Sequence, residues 1–224
     1  MINKQMPTPA EAVSSVADGA TVMISGFGGA GVPVNLIQAV EASAARELTL
    51  IVNTLRLIDT YAPELFGNER VKRAICSAAR SREKEPAAFE RQWKAGTLDI
   101  EMLPQGTFAE RIRAGGAGVP AFFTPTGVGT PLTTGKEVRE FDGRLCVLET
   151  ALTADLAIMR GRVADRFGNV QFHGTQGNFG LAMATASRVA VVEVDEVVDE
   201  PLSSERIDIP GIYIQHVVAV ADRR

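Results

Sequence analysis

Short apolar runs, each followed by small residues and then by a helical pattern, constrain this chain more than any other feature. Residues 20–24 are too short for a helix and do not alternate, as in a strand covered on both faces. They lead into a glycine loop, Ser25-Gly26-Phe27-Gly28-Gly29-Ala30-Gly31, and then into a helical segment over 33–45. The cycle repeats with strands over 48–52, 71–76 and 98–102. A helix is predicted over 85–94, with Phe89 and Trp93 at i, i+4 and Gly96 as C-cap, and another over 107–114, ending at Gly115-Gly116. Ahead of the first strand, Thr8, Pro9 and Glu11 form a helix start with a capping box; that helix carries Ala12, Val13 and Val16 and stops at Asp18-Gly19. Strand, turn and helix in alternation imply an α/β fold with a mainly parallel open sheet flanked by helices. The second half is richer in β-structure, with strands over 145–149, 155–159, 170–172, 189–194 and 212–220 and one helix near 180–187. The Gly/Pro/Thr-rich stretch 115–135 reads as a long active-site loop inside one domain spanning residues 1–224.

Charge and composition narrow the function. The 23 Lys and Arg residues oppose 27 Asp and Glu, and neither half is biased: 12 against 13 in residues 1–112, 11 against 14 in 113–224. A nucleic-acid-binding face needs a basic excess, so no nucleic acid is expected as partner. Cys76, Cys146, His173 and His216 are isolated, which leaves no disulfide framework and no thiolate zinc site. A metal enzyme would have to rely on carboxylates alone. The N-terminal residues lack an apolar targeting core, and no apolar run approaches a membrane span, so a soluble, cytoplasmic protein is expected.

The glycines are concentrated where chemistry could sit. A buried strand running into glycines and a helix start lets backbone approach a ligand and aims N–H groups at negative charge. The loop Gly26 to Gly31 fits that description, and fits tight helix–sheet packing equally well. It can be aligned with G-x-G-x-x-G, but Pro33 follows closely, and the second strand ends in Asn53-Thr54 where a dinucleotide fold wants an acid. No Gly-Lys-Ser/Thr follows, so the phosphate-loop pattern fails as well. Gln105 stands where a strand ends and a helix begins; its amide can donate to a carbonyl or a developing oxyanion, or merely cap the helix.

Longer motifs add a family resemblance. Asp18-Gly19, Gly26-Phe27, Gly31 and Pro33 are similar to the N-terminal signature of the A subunit of the family I CoA-transferases, the 3-oxoacid and 3-oxoadipate group. So are Pro104-Gln105-Gly106-Thr107 and the stretch from Ala109 to Phe122, with Thr124 to Gly127, Lys136 to Glu140, Ala164 to Asn169, Asn178-Phe179 and Ile209 to Ile212. The similarity runs through nearly the whole chain in matching order.

The resemblance implies transfer of coenzyme A, as co-substrate and not as a permanently bound cofactor, between an acyl-CoA and a free carboxylic acid, 3-oxo or dicarboxylic. A glutamate in a Glu-Asn-Gly context performs the attack and belongs to the B subunit of such enzymes; this chain has no such motif, and Glu110 and Glu149 read as structural. The implied assembly is an A2B2 heterotetramer. By resemblance Gln105 faces the reacting acyl group, Gly26, Phe27, Gly28 and Gly31 shape a loop beside substrate or CoA, and Asn53 and Thr54 line the site. Gly115, Gly116 and Gly118 form a second loop near the cleft or a packing hinge. The cluster Arg70, Lys72, Arg73, Arg80, Arg82 and Lys84, interspersed with Glu69, Glu83 and Glu85, reads as a solvated face more than a CoA-phosphate site. Three departures stand out. Asn53-Thr54-Leu55-Arg56 replaces Asn-Asn-Ala-Gly, Val128 replaces an aromatic, and Gln176-Gly177 replaces Ala-Arg. Arg56 is a new cation that pairs with a second carboxylate on the substrate or faces solvent or an interface. A sugar-phosphate isomerase-like enzyme and a non-catalytic acyl-CoA-binding or assembly protein are the alternative readings; the first wants an acid/base pair by a phosphate loop, which is lacking.

Overall fold

The computed structural model describes residues 2–81 and 84–220. Seven strands form one parallel sheet: β1 (Thr21–Ile24), β2 (Leu48–Val52), β3 (Val71–Cys76) and β4 (Asp99–Met102) from the first half, and β8 (Ala154–Arg160), β11 (Ser187–Val194) and β13 (His216–Ala219) from the second. Their order is β13-β11-β8-β1-β2-β3-β4, with every neighbouring pair parallel. The chain therefore builds outward from β1 in one direction, returns, and builds outward in the other. Between β1 and β8 the direction of winding reverses, and crevices open beyond the carboxyl ends of strands at such a point.

Period-two side-chain alternation divides the strands between two cores. Val22, Ile24, Leu50, Val52, Leu156 and Ile158 face one cluster, while Met23, Ile51, Ala157 and Met159 face the other. The first is covered by α1 (Pro9–Ala12), α2 (Val34–Ala42), α3 (Leu55–Tyr61), α4 (Glu64–Gly67) and α5 (Ala88–Ala95), through residues such as Leu36, Ile58, Phe66 and Phe89. The second is covered by α6 (Gln105–Gly116) and α7 (Gly180–Thr185), through Phe108, Ile112 and Met183. Two small sheets complete the fold. One is antiparallel, with order β5 (Ala121–Thr124), β7 (Arg144–Thr150), β6 (Val138–Phe141); the other has order β10 (Val170–Gln171), β9 (Val163–Asp165), β12 (Glu196–Val198). Among the described residues no helix is long and apolar enough to cross a membrane.

Several sequence expectations need correction. The stretch 115–135 is not one loop: it contains the end of α6, strand β5 and a short 3-10 turn at Pro131–Thr133. β5 is bracketed by Pro120 and Pro125, and its ladder partner β7 lies far along the chain, so local pattern gives it no support. The first helix is a single capped turn, and the last strand begins at His216 because Gly211–Tyr213 forms a 3-10 turn. Gly115 and Gly116 are helical, not loop residues. Since α6 runs back along the sheet, Gly115 lies about 15 Å from Gln105 at an ordinary helical rise. It reaches the amino-terminal edge, among Thr21, Ala154 and Ser187, the first residues of β1, β8 and β11. A Cβ at Gly115 would meet the Leu152 carbonyl oxygen at 2.0 Å, and one at Gly116 would meet Thr185 Oγ1 at 2.0 Å. These two are close-approach glycines, and Gly118, with φ +70°, terminates the turn after them.

The basic cluster also divides. Arg70 is buried rather than solvated: its guanidinium donates to the carbonyls of Val40, Glu41 and Ala45, satisfying the C-terminal end of α2. Lys72 pairs with Glu47, and Arg73 with Asp99 and Glu101. Arg82 and Glu83 lie outside the described residues. Glu149, on β7, is buried and held by Lys136 at 2.6 Å and Arg111 at 3.6 Å, and Glu110 pairs with Arg113 on the helix surface. Gly115→Ala is expected to cost about 1–3 kcal/mol by overpacking. Gly106→Ala on the same helix meets nothing within 4 Å and should be neutral or gain up to about 1 kcal/mol. Urea denaturation of the two variants checks the contrast.

Candidate active site at the carboxyl ends of the sheet

The first polar residues beyond β1, β2, β3 and β4 are Ser25, Asn53, Ser77 and Gln105, and the parallel sheet brings all four to one edge. Three of them form a hydrogen-bonded triangle. Asn53 Nδ2 donates to Gln105 Oε1 at 2.6 Å and to Ser77 Oγ at 2.8 Å. The Ser77 hydroxyl donates to the same Gln105 oxygen at 2.6 Å. Backbone reinforces the arrangement: the N–H groups of Ser77 and Ala78 both donate to the Asn53 carbonyl, and Leu55 N–H donates to the Ala78 carbonyl. Asn53 is 6% exposed, whereas Gln105 is exposed in the first turn of α6. With its oxygen held by two donors, the Gln105 amide must turn its Nε2 hydrogens the other way, and among the described residues they have no partner. The result is a positioned, neutral hydrogen-bond donor facing solvent.

The glycine loop leaves the same edge of the sheet, directly after β1. Phe27 and Ala30 exchange two backbone hydrogen bonds of 3.0 Å across Gly28 and Gly29, whose φ values are +59° and +94°. That is a two-residue hairpin turn of the kind that favours Gly-Gly. Gly26 and Gly31 serve packing: a Cβ at Gly26 would meet Val32 and Leu57 within 3.0 Å, and one at Gly31 would meet the Gln176 carbonyl at 2.4 Å. The loop's N–H groups at Gly26, Phe27 and Ala30 are already bonded inside the protein. The N-terminus of α2 is occupied too. Buried Glu193 accepts from Leu36 N–H at 2.9 Å and Asn35 Nδ2 at 3.3 Å. Burial pushes its carboxyl above the usual range, against those hydrogen bonds and Arg160 nearby. A carboxylic acid of the protein thus sits where a dinucleotide fold would hold pyrophosphate, which removes the G-x-G-x-x-G reading.

Asn178 ties the glycine loop to the segment Gly174–Gly177. Its Oδ1 accepts from Gly26 and Phe179 N–H, and its Nδ2 donates to the carbonyls of Ala30, Thr175 and Gln176. Phe179 stacks edge-on against both Phe27 and Phe108, joining loop to core. Two clefts flank the glycine turn. One, of about 330 Å³, is lined by Gly28, Gly29, Thr54, Arg56, Asp59 and Ser81 among others. The other, of about 390 Å³, includes Gly31, Asn35, Arg160, His173 and Gln176 in its lining. Asp59 is the only carboxylic acid lining either cleft among the described residues. No group of three His, Cys, Asp or Glu side chains among those residues is placed to hold a metal ion.

The site thus unites Gly26, Phe27, Gly28, Gly31, Asn53, Thr54, Arg56 and Gln105 around one edge, and leaves out Gly115, Gly116 and Gly118. Sequence reasoning missed Ser77 and gave Asn178 no role. The signal for Ser77 was available, as the first polar residue after the third predicted strand. Asn178→Ala should strip hydrogen-exchange protection from the Gly26 and Phe179 amides while leaving β1 protected, at a stability cost of about 1–2 kcal/mol.

Comparison with known proteins then identifies the family. The chain is 43% identical over 222 residues to the A subunit of 3-oxoadipate CoA-transferase from Pseudomonas putida, covering 99% of this chain and 95% of that one. It is 42% identical over 229 residues to a mitochondrial succinyl-CoA:3-ketoacid coenzyme A transferase 2A of Mus musculus, covering 94% of this chain but 43% of that longer protein. An acyl-CoA transferase of Escherichia coli O157:H7 superposes with a TM-score of 0.83 at 21% identity, over 97% of this chain and 47% of the other, and so shares the fold. The profile of the Coenzyme A transferase family matches residues 6–220, and the chain belongs to that family.

Proposed function

We propose that this chain is the A subunit of a heteromeric CoA-transferase, and that a partner, the B subunit, supplies the nucleophilic glutamate. The observation that carries the reading is the exposed Gln105 amide at the carboxyl edge of the sheet, anchored through its oxygen by Asn53 and Ser77 so that its nitrogen is left to donate.

The chemistry that fits such a site is covalent carboxylate catalysis. The glutamate carboxylate attacks the acyl-CoA carbonyl, and a tetrahedral oxyanion forms. Its collapse expels CoA thiolate and leaves an acyl-glutamyl anhydride. The thiolate then attacks the glutamyl carbonyl, releasing the first carboxylate and forming a glutamyl-CoA thioester. The acceptor carboxylate attacks that thioester, thiolate leaves again, and its attack on the acyl carbonyl of the new anhydride yields the new acyl-CoA and the free glutamate. No proton is transferred at any stage. A neutral amide donor suffices to stabilise each oxyanion, which agrees with a site poor in His and Cys.

In this reading Gln105 Nε2–H donates to the oxyanion, Asn53 and Ser77 are positioning residues, and the Gly28–Gly29 turn and Phe27 form one wall for the substrate or its CoA arm. The assembly is an A2B2 heterotetramer, testable by native mass spectrometry. The isolated chain should transfer no CoA; adding a glutamate-bearing partner should restore transfer through a hydroxylamine-sensitive intermediate. In that complex Gln105→Ala should lower kcat about 10²–10³-fold, and Asn53→Ala should lower it through the same amide. Transfer by the isolated chain would refute the reading. Unchanged turnover in Gln105→Ala would favour a non-catalytic assembly role instead.

A further inference from the structure

The small antiparallel sheet ends on β6, whose outer edge pairs with no other segment among the described residues. All four residues of β6 are exposed, Val138 at 46% and Phe141 at 47%. Leu148 N–H donates to the Glu137 carbonyl at 2.8 Å, so the backbone of Glu137 faces β7. Backbone direction alternates along an antiparallel ladder, and Val138 and Glu140 therefore turn their N–H and C=O groups to the open edge. An unpaired edge is a template for another strand, and charged side chains ordinarily guard it. Here the guarding charges have a particular order. Lys136, Glu137, Val138, Arg139 and Glu140 read plus, minus, apolar, plus, minus. Charges at equal distances on either side of Val138 are opposite in sign.

That order matches itself in one register. A two-fold axis normal to a sheet preserves its faces, so an edge strand pairs with its own copy antiparallel about a residue, and positions equidistant from that residue stand opposite each other. Centred on Glu137, Arg139 or Glu140, the pairing sets a charge directly against itself, and centred on Phe141 it sets Glu140 against Asp142; like charges directly opposite destabilise. Centred on Val138, it sets Glu137 against Arg139 of the second copy and Lys136 against Glu140 of the second copy, and symmetry repeats both contacts. The two Val138 residues exchange backbone hydrogen bonds, and each Glu140 N–H donates to the Lys136 carbonyl across the seam. Contacts within the chain are kept: Glu137 pairs with Arg139, and Lys136 holds Glu149 at 2.6 Å with ammonium hydrogens to spare. Exposed Phe141 and Leu145 flank the seam. We propose that β6 is a homotypic docking edge, through which two copies of this chain form a two-fold dimer centred on Val138, the antiparallel sheet of one continuing into the other. The contact belongs to the isolated chain and does not depend on the transferase reading.

The test is sedimentation of the full chain over a concentration series, with hydrogen exchange of the β6 amides. Wild-type chain should dimerise reversibly, and the Val138 and Glu140 amides should gain protection as the dimer forms. Arg139→Glu sets like charges opposite each other on both sides of the axis, and should raise the dimer dissociation constant about 10- to 100-fold. The exchanged pair, Glu137→Arg with Arg139→Glu, restores the cross-copy contacts and should return the constant to within about threefold of wild type. Val138→Pro removes an N–H that points away from β7, and should abolish the dimer. A wild-type chain that stays monomeric at every concentration overturns the proposal, as does a dimer that Arg139→Glu leaves unchanged. Weakening by Arg139→Glu without recovery in the exchanged pair also overturns it, because the seam then has another register. Protection of the β6 amides only on addition of a glutamate-bearing B partner overturns it and assigns the edge to that partner. If Val138→Pro fails to fold, the charge exchange decides.

Discussion

Ile24 pairs with Ile158 in adjacent parallel strands, although more than half the chain separates them. On that pairing the remaining architecture depends. It joins a half that winds outward through β2, β3 and β4 to one that winds outward through β11 and β13, and it makes the two windings diverge from the same line. Because all seven strands are parallel, every connection leaves from one edge and returns to the other. The glycine loop, Asn53, Ser77, Gln105 and Arg160 are all carried to the departing edge, while the close-packed glycines of α6 are carried to the opposite one. The site is a consequence of the winding before it is a consequence of any side chain.

Buried charge is arranged to complement this edge without crowding it. Glu193 fills the N-terminus of α2, Arg70 fills its C-terminus, and Glu149 with Arg111 and Lys136 ties the small antiparallel sheet to α6. Each charged group meets hydrogen-bonding or ionic partners that offset its desolvation. Among the described residues, the Gln105 amide nitrogen is left at this edge without a hydrogen-bond acceptor.

Much of this was legible in the residue order. Strands over 48–52 and 71–76 were read to the residue, because their aliphatic residues, broken only by Thr49 and by Lys72-Arg73, are bounded on both sides by polar residues. The Thr8 cap and the left-handed Gly96 cap were likewise local. The failures have a common cause. β5 and β6 lack a buried face and exist because β7 pairs with both, so neither carries a periodic signature. Arg70 looked like one charge in a solvated run, yet the three carbonyls it caps come from residues 40, 41 and 45, which only folding brings beside it. Gly115 and Gly116 looked like loop formers, since composition alone does not distinguish a glycine needed for φ from one needed for clearance.

The sequence by itself determined the layer pattern, the strand–helix alternation and, through its long motifs, the family. These are properties of neighbouring residues: apolar periodicity, capping chemistry and the conformational freedom of glycine act within a few positions. Only the tertiary structure decided which strand ends meet, that the Gln105 oxygen is anchored while its nitrogen is left to donate, and that the helix N-terminus is already filled by Glu193. Those outcomes depend on contacts between segments 24 to 158 residues apart, and such contacts are fixed when the chain packs, by burial and hydrogen-bond satisfaction across the whole sheet.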